Sequence, residues 1–374
     1  MARRRTALLV TYTMFDPYAV GVFFRAVRVA QELIGRGWSC TIYNYGPIPE
    51  DPKVADVIAR GASIERLHSD DSHRDFEHIL AAFRRIDPHV VVFGEHPLHF
   101  MEPLLRAARV LVTPPVLIVD QYYSEWAGAV MPGVDRYVMY GVQSLWPAHL
   151  MHPSNTVIPP FIERVTPRHE LPVPPELQER PWITIVGFDP RVLRAGIELA
   201  ARLDGVVAIS MSADPAEAAR LFAEAGVPHF LALPLQHDAH YFGLIAESGV
   251  AVVANGFMQI CEAVALACPV FAVHRGIGME GWTLHAGFTP FVHFAEKPEE
   301  ALERARAWLA ESPFDGEQRA ALQPQRGGLV RFADLVEETL LHPSAKARRQ
   351  RRSERCRHVW SWFFSARANA NETV

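Results

Sequence analysis

Along most of this chain, short apolar runs alternate with stretches whose apolar residues recur every three or four positions. The runs predict strands at 7–12, 38–43, 90–93, 116–120 and 136–139, with a short one at 63–67. Most are continuously apolar, so they read as strands covered on both faces. Between them, 20–35 and 74–85 carry helical spacing, and Gly35 and Gly37 close the first of these helices. A second alternation starts at position 182. It predicts strands at 182–186, 206–210, 230–233, 250–254 and 270–273. Helices follow from about 191 and at 215–225, 239–248, 259–267, 299–310 and 328–341. Strand–helix repetition of this kind predicts a parallel sheet with helices on both faces, once in each half. The halves share no repeated sequence.

Pro159, Pro160, Pro167, Pro172, Pro174, Pro175 and Pro181 crowd the join. Fixed φ angles and missing donors suit a semi-rigid linker. The predicted organisation is a first domain over 1–165, a linker over 166–181, a second domain over 182–342 and a tail over 343–374. The tail reads KARRQRRSERCRHVWSWFF from Lys346, and its last residues are expected to be disordered. One reading is a solvated, frayed extension. The other is a basic and aromatic element touching an anionic membrane surface, with Trp360, Trp362 and Phe364 at the interface.

The 374 residues suffice for two domains with separate cores. A net charge of −5 gives no reason to expect nucleic acid. Cys40, Cys261, Cys268 and Cys356 form no C-x-x-C pair, which argues against a zinc site or disulfide framework and fits a reducing cytosol. The basic start is followed by too short an apolar stretch for a secretory signal. No apolar run approaches the about 20 residues of a membrane span. The expected location is cytoplasmic, with the tail as the one route to the inner face of a membrane.

The most informative stretch is 249–287. The run Val250 to Ala254 ends at Asn255-Gly256, helical spacing follows with Glu262 on the first turns, and Pro269 precedes a second run. That run ends at His274-Arg275-Gly276. Polar groups thus sit at the carboxyl ends of two strands, the edge where open parallel sheets bind ligands. Glycine lets backbone approach a ligand closely, and a helix N-terminus offers free N–H groups to a phosphate. Gly187-Phe188-Asp189 ends another strand, where Gly187 could meet a phosphate and Asp189 cap the following helix. Glu262 is otherwise a carboxylate favoured by the helix dipole, and Asn255-Gly256 a tight turn.

Two α/β domains, a Pro-rich join and ligand loops in the second domain resemble the GT-B glycosyltransferases. The likeness is to the MurG-like group, glycosyltransferase family 28, and its C-terminal domain. It is specific over about 230–287. The family pattern of Gly, two residues, Thr, two residues, Glu-Ala and a later small-Pro pair stands here as Gly256-Phe-Met-Gln259-Ile-Cys-Glu262-Ala263, then Cys268-Pro269. Gln259 replaces the Thr. The resemblance implies two Rossmann-like domains facing each other across a cleft. It implies that Glu262 accepts the donor ribose hydroxyls, that Asn255, Gly256 and the helix start hold the diphosphate, and that the loop at Leu233-Pro234-Leu235 lies beside the nucleobase. His274 and Arg275 would meet diphosphate or sugar, and Glu280, after Met279, is the nearest match to the family's sugar-binding residues. In the first domain the family's Gly-x-Gly-His, two residues, Arg pattern reads Ala19-Val20-Gly21-Val22-Phe-Phe-Arg25, later followed by Arg36-Gly37. Val22 stands in place of a histidine that many members use as catalytic base.

Other groups could supply the base. His96, with Glu95 at the end of the run VVVFG, is the first candidate. Asp120, ending VLIVD, and Asp16, after the first strand, are the alternatives. With only His96 and His99 nearby and no Asp-x-Asp at a strand end, no metal is expected. Arg275 and the helix dipole would stabilise the leaving diphosphate. The expected reaction moves a sugar from a UDP- or TDP-linked donor, UDP first, to an acceptor hydroxyl with inversion. No cofactor beyond the nucleotide sugar is implied. The expected acceptor is small-molecule or lipid-linked, and the aromatic residues around Tyr12, Phe15, Phe23 and Tyr122 suggest an apolar or lipid-linked one. Two further readings stay open: a non-catalytic relative that binds nucleotide or a partner, and a nucleotide-sugar epimerase using paired carboxylates among Asp16, Glu95 and Asp120.

Overall fold

The structure is a computed structural model. It describes residues 4–13, 21–67, 76–94, 102–120, 132–141, 155–187, 189–236, 238–254, 257–273, 290–294, 298–322 and 327–371. The chain divides into two compact units. Unit 1 comprises Met1–Met139, His152–Thr156 and Leu329–Val374, and unit 2 comprises Tyr140–Met151 and Val157–Gly328.

Unit 1 is built on a seven-stranded sheet. In chain order come β1 (Thr6–Tyr12), α1 (Gly21–Gly35), β2 (Ser39–Tyr45), α2 (Pro52–Ala59), β3 (Ser63–Leu67), α3 (Phe76–Ile86), β4 (Val90–Phe93), α4 (Glu102–Leu111), β5 (Val116–Asp120), β6 (Arg136–Tyr140) and β7 (Asn155–Ile158). Their spatial order is β3-β2-β1-β4-β5-β6-β7, and each described pairing among β1 to β6 is parallel. Leu8, Val10 and Tyr12 point to one face, where they pack with Leu80 and Phe83 of α3 and Leu104 and Leu105 of α4. Ala30 of α1 packs on the other face, its carbonyl 3.8 Å from the Cys40 sulfur. Strands buried on both faces have no solvated side to make polar, which is why their sequence runs are unbroken. The helix α2 has no long apolar period. It forms because Asp51 accepts from the Lys53 N–H at 2.7 Å and Pro52 stands at the first helical position.

Unit 2 repeats the plan. It holds a short α5 (Pro175–Gln178), β8 (Trp182–Gly187), α6 (Pro190–Ala200), β9 (Val207–Ser212), α7 (Pro215–Glu224), β10 (Phe230–Pro234), α8 (Asp238–Ala246), β11 (Val250–Ala254), α9 (Phe257–Ala265), β12 (Val270–Val273), β13 (Val292–Phe294), α10 (Pro298–Ala310) and α11 (Gly316–Leu322). The sheet order is β10-β9-β8-β11-β12-β13, parallel in each described pairing. Ile183, Ile185, Val250 and Phe271 form a core with Val192 and Ile197 of α6, Phe222 of α7 and Trp308 of α10. Gly196 lets α6 sit directly on β8: a Cβ there would lie 2.7 Å from Ile185 side-chain carbons.

The Pro-rich segment folds back on unit 2. The Arg168 guanidinium stacks 3.8 Å from the Trp182 ring centre and donates to the carbonyls of Gln178 and Arg180, the latter at 2.8 Å. The Thr166 N–H donates to the Ala239 carbonyl at 3.0 Å.

After α11 the chain returns to unit 1 as α12 (Gly328–Leu341) and α13 (Ala345–Asn371). At the start of α12 only glycine fits, since a Cβ on Gly328 would lie 2.1 Å from the Pro159 carbonyl oxygen. Arg36 bonds Asp334 at 2.7 Å and the Val330 carbonyl at 3.0 Å, and the Trp38 indole N–H donates to Glu337 at 3.1 Å. The tail is therefore not a frayed extension in its first turns. Arg351, 0% exposed, pairs with Asp135 and donates to the carbonyls of Gly133 at 2.7 Å and Val112 at 3.1 Å. Asp135 also accepts from the N–H groups of Val116 and Ser344, both at 2.8 Å. The helix continues to Asn371 where disorder was expected. Among the described residues no helix is long and apolar enough to cross a membrane.

Breaking one side of such a pair strands a buried charge. Arg351→Ala is expected to lower stability by about 3–5 kcal/mol, read as a lower urea midpoint, with Arg351→Lys recovering part of it. A shift below about 1 kcal/mol would show that the pair is not what holds α13 down.

Candidate functional site

In unit 2 the chain runs from β8 outward through β9 to β10, then crosses back to β11 on the other side of β8. The strand order reverses between β8 and β11. The crevice outside the carboxyl ends of two such strands is where doubly wound sheets take their ligands. At that edge Gly187 is the last residue of β8, in register with Ser212 of β9, which in turn pairs with Pro234 of β10. Gly187 is buried, and a Cβ there would lie 3.2 Å from the Leu193 side chain and 3.4 Å from the Met211 carbonyl, so the strand end and the start of α6 pack closely at this point. Asp189 caps α6: it is buried, accepts from the Arg191 N–H at 2.8 Å and pairs with the Arg191 guanidinium at 2.8 Å. Its carboxylate is committed to holding the helix start.

Two serines lie on β9, Ser212 at its carboxyl end beside Gly187 and Ser210 two residues further in, level with Ile185. Ser210 and Ser212 are buried, and neither hydroxyl has a hydrogen-bond partner among the described residues. A buried hydroxyl left unpaired costs about 1–3 kcal/mol, so such groups in native proteins meet water or a ligand. Composition and spacing did not single them out. The signal available in the sequence was a polar pair alternating inside the run VAISMS, where a doubly covered strand should be apolar.

Beyond β10, Leu235 is 45% exposed, a large apolar residue presented to solvent beside Gln236, whose amide donates to the Pro234 carbonyl at 2.7 Å. The helix α8 follows at once. Its Tyr241 donates its phenolic O–H to Glu262 at 3.3 Å. Glu262 lies on α9 and is 5% exposed. It stands in the second turn of α9, not the first, so the favour of the helix dipole does not explain it. A carboxylate kept at this depth needs donors, and the Tyr241 hydroxyl is one. Gln259, three residues earlier and so on the same helix face, is half-buried. The neighbouring thiols are inert: burial pushes Cys261 and Cys268 well above the ordinary thiol range. At the sheet's far edge His293 packs edge-on against Phe271, 5.5 Å between ring centres. Burial holds its pKa below the ordinary imidazole value.

In unit 1 the corresponding reversal falls between β1 and β4. Val22, in the first turn of α1, is buried, and a Cβ on Gly94 just after β4 would lie 3.1 Å from its side chain. The position read as a missing histidine thus packs against the end of β4. Arg25, 3% exposed, donates to the Gly94 carbonyl at 2.8 Å and so fixes the backbone just after β4. Asn44 gathers the end of β1 and the loop after β2, donating to the Thr13 hydroxyl at 3.1 Å and to the carbonyls of Gly46 and Pro47, each at 3.2 Å. Tyr12, on β1, and Phe23, on α1, are core residues, 7% and 0% exposed. They offer nothing to an acceptor.

Of the expected site residues, Gly187, Leu235, Gln259 and Glu262 lie within the described structure at or near the carboxyl edge of the second sheet. Asp120 is the last residue of β5, in register with Met139. His96, Asp16, Asn255, Gly256, His274, Arg275 and Glu280 lie outside the described residues, as do Phe15 and Tyr122. Arg25, Tyr241 and the β9 serines are the additions the structure makes.

No known protein-family profile matches the chain. No curated protein sequence matches it either. Solved structures do. MurG from Acinetobacter baumannii is 13% identical, with a TM-score of 0.62 over 89% of this chain and 99% of its own. The kitacinnamycin glycotransferase is 17% identical, with a TM-score of 0.62 over 90% and 99%. HepE from Anabaena, solved with UDP and glucose, is 11% identical, with a TM-score of 0.53 over 90% and 99%. Two Rossmann-like units, each with its strand order reversing beside its first strand, and this likeness over nine-tenths of the chain give it the GT-B fold of the glycosyltransferases.

Proposed function

We propose that the chain is a glycosyltransferase, moving a sugar from a nucleotide donor to an acceptor hydroxyl. The observation that carries this reading is Glu262: a carboxylate 5% exposed, on the helix leaving the strand-order reversal and held by Tyr241 from the helix behind the Leu235 loop. A carboxylate oriented in this way accepts both hydroxyls of a ribose. In this reading the Leu235 loop lies against the base, and Gly187, Asn255, Gly256 and Gln259 line the diphosphate. His274 and Arg275 neutralise the leaving diphosphate, and Glu280 meets the sugar. UDP is the first donor nucleotide to test, with TDP second. The GT-B neighbour HepE was solved with UDP and glucose, which supports that order.

The transfer itself needs a base. The acceptor oxygen forms its bond to the anomeric carbon as the bond to the diphosphate oxygen breaks, with inversion, and the acceptor proton passes to the base. With Val22 packed against β4, we assign that base to His96, with Asp120 and Asp16 as substitutes. Arg25, bonded to the Gly94 carbonyl two residues before His96 in the chain, is assigned a positioning role for the base. The reaction proposed uses no metal: positive charge at Arg275 and the start of α9 takes its place.

Calorimetry with UDP, TDP and GDP is the direct test. One nucleotide should bind saturably, and Glu262→Ala should weaken it by at least about tenfold, since a charge-assisted hydrogen bond contributes about 1.5–3 kcal/mol. Silence with all three would end the donor-site reading. Tyr241→Phe keeps the carboxylate and removes its hydrogen bond, and should weaken the same nucleotide by about 2- to 10-fold. In transfer assays with that donor, His96→Ala should lower kcat by about 10²–10⁴-fold with the donor Kd unchanged. Full turnover in that variant would move the assignment to Asp120 or Asp16.

A further inference from the structure

The helix α13 carries one Lys, seven Arg and a single Glu, in a chain whose net charge is −5. Its two faces differ. Ala347 and Arg351 are buried and Glu354 and His358 half-buried, at spacings of three and four that set them on one stripe. That stripe is pinned to unit 1 by Arg351 on Asp135, and by His358, whose ring lies 5.1 Å from that of Phe76. Lys346, Arg348, Arg349, Arg352, Arg355 and Arg357 are exposed. They span about 16 Å of helix. Glu354 is the helix's only carboxylate and is already engaged, by Arg357 at 3.0 Å and Arg106 at 4.0 Å. Lys346, Arg348, Arg349, Arg352 and Arg355 are therefore not neutralised by a carboxylate of their own helix. Immediately after them the same helix carries Trp360, Trp362, Phe363 and Phe364 in sequence. Those residue types settle at lipid–water boundaries.

We propose that α13 is a docking surface for an anionic lipid bilayer. The exposed guanidinium groups meet lipid phosphates and the aromatic turns enter the headgroup layer. A basic cluster of this size on one helix is the charge pattern that anionic leaflets attract. The aromatic end favours lipid over nucleic acid, which offers the same phosphates, and the acidic remainder of the chain repels both away from this helix. The proposal is independent of the nucleotide site.

The full chain should sediment with phosphatidylglycerol-containing vesicles and not with phosphatidylcholine alone. Binding should fall steeply with salt, as the screening length shrinks from about 10 Å at 0.1 M to about 3 Å at 1 M. Each cation at the surface is worth about a fivefold change in partitioning, so the triple variant Arg349→Glu, Arg352→Glu, Arg355→Glu should bind at least about 100-fold more weakly. Its unfolding midpoint should match the wild type, because Arg351 is kept. If the reversal unfolds the helix, the matching triple change to Gln gives the same test with a smaller drop. Trp360→Ser with Trp362→Ser should weaken vesicle binding and leave its salt dependence. Equal binding to both vesicle types, or triple variants binding like the wild type, would overturn the proposal. So would tighter binding of an oligonucleotide at the same salt with the tryptophan variant unaffected.

Discussion

A parallel strand buried on both faces can expose chemistry only at its ends, and that constraint organises this molecule. Each helix covers side chains, and each loop at the carboxyl edge is free to carry something else. Gly187, Ser212 and Pro234 lie in one register row at that edge, and the chain leaves β11 for α9 on the other side of β8. The second sheet therefore places a close-packed glycine, a buried hydroxyl and a helix bearing a buried carboxylate around one reversal of strand order. In the first sheet the same reversal is filled: Val22 packs at Gly94, and the Arg25 guanidinium is bonded to the carbonyl there. One architecture is thus used twice, with different side chains at the two reversals.

The polar groups divide along the same line. Asp189 and Asp135 are buried carboxylates whose partners are complete in the chain itself: a helix start and an arginine for the first, an arginine and two N–H groups for the second. Glu262 differs in its place in the fold. It accepts from the Tyr241 hydroxyl at 3.3 Å and lies on the helix that leaves the strand-order reversal, at the edge where such sheets take their ligands, which is why it, more than the aspartates, carries the donor-site proposal.

Most strands could be read from sequence because their apolar runs are self-sufficient signals. The runs at β4, β5, β11 and β12 coincide with the structure's strands residue for residue. Elements held by distant partners could not. The helix α2 depends on an aspartate cap and a proline, and β13 is a three-residue edge strand that exists through its pairing with β12. The return of the chain to unit 1 was hidden for the same reason. Arg36 and Asp334, or Asp135 and Arg351, become partners only when segments some 200 to 300 positions apart are packed together. In the candidate site, the strand and helix that carry Glu262 were legible from sequence. Tyr241 was not, since only the packing of α8 beside α9 brings its hydroxyl to the carboxylate.

The same reasoning separates the two halves of the C-terminal helix. Arg351 at 0% exposure and the solvent-facing Arg348, Arg349, Arg352 and Arg355 within four residues of it are identical in type and opposite in physics. Arg351 is held because Asp135 and two carbonyls replace its water, and the position of α13 follows from that replacement. The exposed arginines keep their water and remain available to another set of phosphates or carboxylates. A composition count over 343–374 averages these roles into a merely basic tail. Burial separates an anchor from a surface, and the anchor is what makes the surface a fixed one.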